Sequence, residues 1–138
     1  MDFWELAVQR YIARDRGVFF SSQYLVGERN GWKGEPDFLA IDFEARLIWF
    51  VEVTTYPRKS LLGKLDIFAA EYKPLILDQL TRHKVIKDEF QFGIWIFAHE
   101  AAKKHILKYE DQLKKEKVVL RFTSLNEAVF PTDDPYRK

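Results

Sequence analysis

Hydrophobic positions along the chain recur with two periods, one near four residues and one of two, and the alternation between them divides the sequence into elements. Phe3, Leu6, Ala7, Tyr11 and Ile12 fall near one face of a helix over residues 2 to about 15, with Gly17 as a stop. Val18 to Val26 reads as a strand, and GERNGWKGEP after it as a turn-rich loop. Asp37 to Glu44 and Leu47 to Thr55 are two further strands, joined tightly around Glu44, Ala45 and Arg46, which predicts an antiparallel hairpin. In the second, Leu47, Trp49, Val51 and Val53 occupy one face and Ile48 and Phe50 the other, as in a central strand covered on both sides. Ser60 is placed to cap a long helix with Leu61, Leu65, Phe68, Tyr72 and Leu75 at core spacing, which Pro74 kinks or splits. Phe92 to Ala98 is a buried strand, Glu100 to about Lys115 an amphipathic helix, Val118 to Phe122 a last strand, and Ser124 to Val129 a final helical turn. The order α-β-β-β-α-β-α-β predicts an α/β fold with a mixed sheet and helices on both faces.

Composition narrows the picture. At 138 residues with 47% hydrophobic positions, the sequence suits a single packed domain over residues 1–130, with 131–138 expected to be a flexible tail. The absence of cysteine excludes disulfides, thiolate metal sites and cysteine catalysis together. Apolar runs such as LIWFV are too short to span a membrane, and the first residues carry no signal-peptide pattern, so a cytoplasmic protein without membrane partners is expected. Net charge is +1, which neither selects nor excludes a polyanionic partner. Basic residues do cluster: Arg58, Lys59 and Lys64 in one group, Arg82, Lys84 and Lys87 in another.

Two carboxylates stand out. Asp37 follows Pro36, and Glu52 interrupts the run IWFVEV, where a buried carboxylate is costly unless paired. If the hairpin turns about residues 44 and 45, Asp37 lies opposite Glu52, and Thr54 shares the face of Glu52. Such a pair suits a hard cation, which often takes one or two carboxylates and completes its shell with water and phosphate oxygens. The alternative is that Asp37 caps a turn while Glu52 pairs with a lysine or arginine. The loop containing Arg29, Trp32 and Lys33 carries charge and a ring that could contact a nucleic-acid backbone or stack on a base, as could Arg58 for a phosphate; a packed surface loop is the equal alternative.

Pro36-Asp37, then fourteen residues, then Glu52-Val53-Thr54 resembles the bipartite motif of the PD-(D/E)XK nuclease superfamily, and the element order over roughly residues 2 to 98 matches that family's restriction-endonuclease-like α-β-β-β-α-β core. The last helix and strand would then be a C-terminal α-β extension. The resemblance implies a nuclease in which Asp37 and Glu52 hold Mg²⁺ or Mn²⁺, with the Val53 carbonyl and Glu5 of the first helix as further ligands. It implies nucleic acid as partner, DNA ahead of RNA, and a homodimer would suit cutting both strands. One departure is visible: Thr54 stands where the family has its catalytic lysine. Lys59 and Lys64 are the nearby residues that could replace it. If neither does, the resemblance implies a catalytically impaired nuclease-fold protein that binds nucleic acid or a protein partner.

Other motifs carry less. In HEAAKKH the histidines His99 and His105 are six apart, about 120° out of alignment on a helix, so a zinc-protease site is excluded. Gly27, Gly31 and Gly34 precede a strand and lack the Lys-Ser/Thr of a phosphate loop. No G-x-S-x-G nucleophile elbow is present.

Overall fold

The run LIWFVEV forms the centre of the molecule because neither of its faces can be left in water. In the computed structural model, which describes residues 3–14, 18–22, 26–28, 31–34, 37–56, 58–87 and 89–131, this run is strand β5 (Leu47–Val53). The other elements are α1 (Phe3–Ala13), β1 (Val18–Ser22), β2 (Val26–Glu28), β3 (Gly31–Gly34), β4 (Phe38–Asp42), α2 (Lys59–Ile67), α3 (Lys73–Arg82), β6 (Gln91–Ala98), α4 (Lys103–Leu107), α5 (Glu110–Lys115), β7 (Val118–Ser124) and α6 (Leu125–Val129). Five strands form one mixed sheet in the order β1-β4-β5-β6-β7. β4 runs antiparallel to both of its neighbours, β1 and β5, and β5, β6 and β7 are parallel. The fold is α/β, with helices over both faces of the sheet.

Alternation along β5 sorts its side chains into two cores. Ile48 and Phe50 face Leu61, Leu65, Phe68, Tyr72, Ile76 and Leu80 of the α2–α3 segment, together with Ile106 and Leu113 from α4 and α5. Trp49 and Val51 face Val8 and Ile12 of α1 and Leu125 and Ala128 of α6. The β4–β5 turn is tight because Asp42 Oδ1 accepts the amide of Ala45 at 2.9 Å and Arg46 takes a left-handed φ of 54°.

Several elements depart from the sequence reading. The segment read as a loop, GERNGWKGEP, contains an antiparallel pair, β2 with β3. In it Glu28 is paired with Gly31 and Gly27 with Trp32. The helix expected to start at a Ser60 cap starts at Lys59, with Arg58 at the N-cap position making no side-chain cap bond. The helix before Pro74 widens into a π turn over Phe68–Tyr72. Proline leaves the preceding turn short of a donor, and the wider turn stacks the rings of Phe68 and Tyr72, 12° from parallel, with Phe50 edge-on to both. The helix expected over 100–115 is three short pieces: a 3-10 turn (Glu100–Ala102), α4 and α5. Arg29 and the tail 132–138 lie outside the described residues, as do the side chains of Trp32 and Lys33.

On the α1 face Gly93 lies under Trp49, and a Cβ there would overlap the six-membered part of the indole. Arg121 covers both Trp49 and Trp95, its guanidinium 4.7 Å from each ring centre. Gly93→Ala is therefore expected to cost about 1–3 kcal/mol of unfolding free energy by overpacking. In a urea double-mutant cycle with Trp49→Leu, which removes the ring, most of that cost should disappear. A fully additive cycle would show the two residues do not meet.

Candidate functional site

The β4–β5 register positions the two carboxylates singled out above. Phe38 is paired with Val51, so one step further out Asp37 stands opposite Glu52. Both point to the α2 face, since Asp37 shares its side with the core residues Leu39 and Ile41, and Glu52 shares its side with Ile48 and Phe50. Asp37 Oδ2 accepts the amide of Val53 at 2.7 Å, a short charge-assisted bond that fixes the carboxylate across the strand end. In an extended strand the amide and carbonyl of one residue point to the same side, so the Val53 carbonyl lies on the Asp37 edge as well.

The replacement for the motif lysine separates into three cases. Lys64 reaches Glu52: Nζ donates to Oε1 at 3.3 Å, with side chains 28% and 13% exposed. Further along, the exposed Arg82 and Asp78 of α3 pair with each other at 3.4 Å. Lys59 is exposed at the first position of α2. Thr54 is occupied locally, its hydroxyl donating to the Tyr56 carbonyl at 2.9 Å and its amide to the Phe97 carbonyl at 2.9 Å. Its work is to turn the chain out of the sheet. Arg58 is exposed just ahead of α2.

Glu5 does not complete a trio. Among the described residues no three His, Cys, Asp or Glu side chains converge as a metal-holding group. The physical reason is the face: α1 buries Val8 and Ile12 against Trp49 and Val51, whereas Asp37 and Glu52 project to the other side.

Burial pushes the Glu52 carboxyl up from its ordinary 4.5 to about 7. Lys64 acts against this as a nearby positive charge, while Asp37 adds to it, first as a like charge and then as a hydrogen-bond partner. Glu52 thus has the lysine partner that one of the two readings expected, and burial together with Asp37 still holds its carboxyl above the ordinary range.

The sequence reading missed a second group at this end of the sheet. Tyr56, Leu62, His105, Lys108 and Tyr109 line a cavity of about 210 Å³. His105 carries no spacing signal in the sequence, and tertiary packing brings its ring to that of Tyr56. Compared with models of protein families, with curated proteins and with solved structures, the chain matches none.

The folded protein holds the Glu52 proton up to about pH 7, while an unfolded chain releases it near 4.5. The protonated group therefore stabilises the fold fully below about pH 4.5, and that contribution is lost as pH rises through about 7. The loss is on the order of 3 kcal/mol. In urea unfolding between pH 4.5 and 8, the stability of the native protein relative to Glu52→Gln should fall by that amount. A pH-independent difference would show that Glu52 is not desolvated.

Proposed function

We propose that the chain is a metal-dependent nuclease of restriction-endonuclease-like fold, hydrolysing phosphodiester bonds at the Asp37–Glu52 pair. The observation that carries this reading is the arrangement of three groups: two adjoining carboxyls at the end of a central hairpin, and an ammonium 3.3 Å from one of them. The order of elements in the main sheet, α1, then β1, β4 and β5, then the α2–α3 segment and β6, supports it, since the motif resemblance implies an α-β-β-β-α-β core.

The donor set fits a hard divalent cation. Asp37 and Glu52 offer anionic oxygens, and the Val53 carbonyl is on the same edge. Two acids that raise each other's cost of ionisation gain most from a shared positive charge. When bound, Mg²⁺ or Mn²⁺ would supply the Lewis acidity that phosphodiester hydrolysis needs. The residues do the rest. Val53 holds Asp37 in one orientation through its amide. Glu52, once ligating, no longer needs Lys64, whose ammonium can turn to a phosphate oxygen and stabilise the charge that develops there. Water then adds to phosphorus, one P–O ester bond breaks, and the leaving oxygen takes up a proton.

Thr54 favours a second reading. Its hydroxyl is used in the turn, so the motif position contributes no group to the site. If Lys64 serves only to neutralise Glu52, the protein is a nuclease-fold module that binds nucleic acid without cutting it.

Cleavage of mixed DNA and RNA substrates with Mg²⁺ or Mn²⁺ separates these. Cation at about 100 times its Kd should stabilise the fold by roughly 2.7 kcal/mol. Asp37→Asn and Glu52→Gln should abolish both that response and cleavage. Lys64→Ala should cut the rate by about 10²-fold or more while the metal-induced shift in Tm persists. Lys59→Ala should leave both unchanged. Metal binding without cleavage selects the binding module, and absence of both removes the metal site.

A further inference from the structure

We infer that the cavity lined by Tyr56, Leu62, His105, Lys108 and Tyr109 holds one unpaired nucleobase, so that the substrate strand is single-stranded or frayed at that point; this rests on the nucleic-acid reading above. The cavity is about 210 Å³, room for one base and too small for a folded peptide. Three of its five lining residues carry rings, and the fourth polar member is the cation Lys108. Rings recognise any base through its π face, and a lysine beside them meets the phosphate the base carries.

Tyr56 is built as a platform. Its ring is 53% exposed, yet the backbone beneath it is fixed, because the Thr54 hydroxyl donates to its carbonyl and the His99 amide donates to the carbonyl of Thr55 at 3.1 Å. His105 forms the adjoining wall, its ring centre 6.4 Å from that of Tyr56 and tilted by 59°. An exposed tyrosine on a fixed turn presents stacking area at little cost in chain entropy.

The cavity and the carboxylate site flank α2. Leu62 and Lys64 are two residues apart, about 200° around the helix, so one flank of α2 faces the cavity and the other faces Glu52. Both sites lie at the end of the sheet where β5 and β6 finish. Arg58 is exposed just ahead of α2, where a backbone passing between the two flanks needs positive charge. A base within an intact duplex is stacked on both sides and hydrogen-bonded along its edge, so it cannot offer a face to Tyr56. An unpaired base can.

The test uses the full chain carrying Asp37→Asn, which keeps an acceptor for the Val53 amide while silencing cleavage. A single-stranded DNA oligonucleotide with 2-aminopurine should lose fluorescence saturably on binding, and should bind more tightly than its blunt duplex. Adding Tyr56→Ala should abolish the quench and weaken single-strand binding roughly ten-fold or more, and Tyr56→Phe should restore both. Equal affinity for single strand and duplex, or no effect of Tyr56→Ala, overturns the inference. The two assignments can fail separately. If the wild-type protein with Mn²⁺ cuts single strand and duplex alike, and Tyr56→Ala leaves KM unchanged, the base pocket falls and the nuclease stands. If nothing is cut but the Tyr56-dependent quench is present, the pocket stands and the nuclease falls. With neither binding nor cleavage, both are overturned.

Discussion

A carboxyl group at the end of a central strand has to be accommodated by everything around it. Glu52 is carried to that position by the same alternation that buries Ile48 and Phe50, because all three share one face of β5. Shifting the β4–β5 register by one residue would exchange the side chains that the two strands send into the two cores, so packing fixes the register and the register fixes Asp37 opposite Glu52. The acid pair is thus a consequence of core packing. Nothing local to Asp37 or Glu52 could have brought them together across fourteen intervening residues.

The parts of the fold that were legible are those where side-chain period and burial agree. β5 read correctly as a doubly covered centre because neither of its faces is polar, and the β4–β5 hairpin because Asp42 to Arg46 carries its own turn chemistry. The misses have definite causes. The β2–β3 pair was read as loop because Gly27, Glu28, Trp32 and Lys33 do not alternate in polarity and the glycines read as turns. The π turn at Phe68–Tyr72 follows from three rings packing together, information spread over β5 and the helix. Glu5 was assigned by its place in a resemblance, and the face on which α1 packs is not encoded near residue 5. Lys59 and Lys64 were equal in sequence; only the phase of α2 separates them, with Leu61 and Leu65 buried and Lys64 beside them at the strand end.

The two faces of the sheet are finished differently. On the α1 side the aromatic layer is sealed: Trp95 donates to the Thr123 hydroxyl at 2.9 Å, Arg121 lies over both indoles, and Gly93 leaves the room Trp49 needs. Trp49 and Trp95 are both buried there. On the α2 side the apolar layer stops short of the strand ends, and Asp37, Glu52 and Lys64 lie where it stops. Polar chemistry sits at the rim of one core while the other core holds the sheet rigid beneath it, which is how a site on strand ends is kept within narrow geometry.

The electrostatics of that rim follow from competition for one carboxylate. A proton, the Lys64 ammonium and a cation can each neutralise Glu52, and they exclude one another to different degrees. The proton satisfies burial but leaves Asp37 with a neighbour that no longer shares charge. The ammonium approaches only Oε1, at 3.3 Å, and it does not offset the desolvation, since the group still titrates near 7. On the metal-site reading proposed above, a divalent cation would meet both carboxylates at once and free the lysine in the same event.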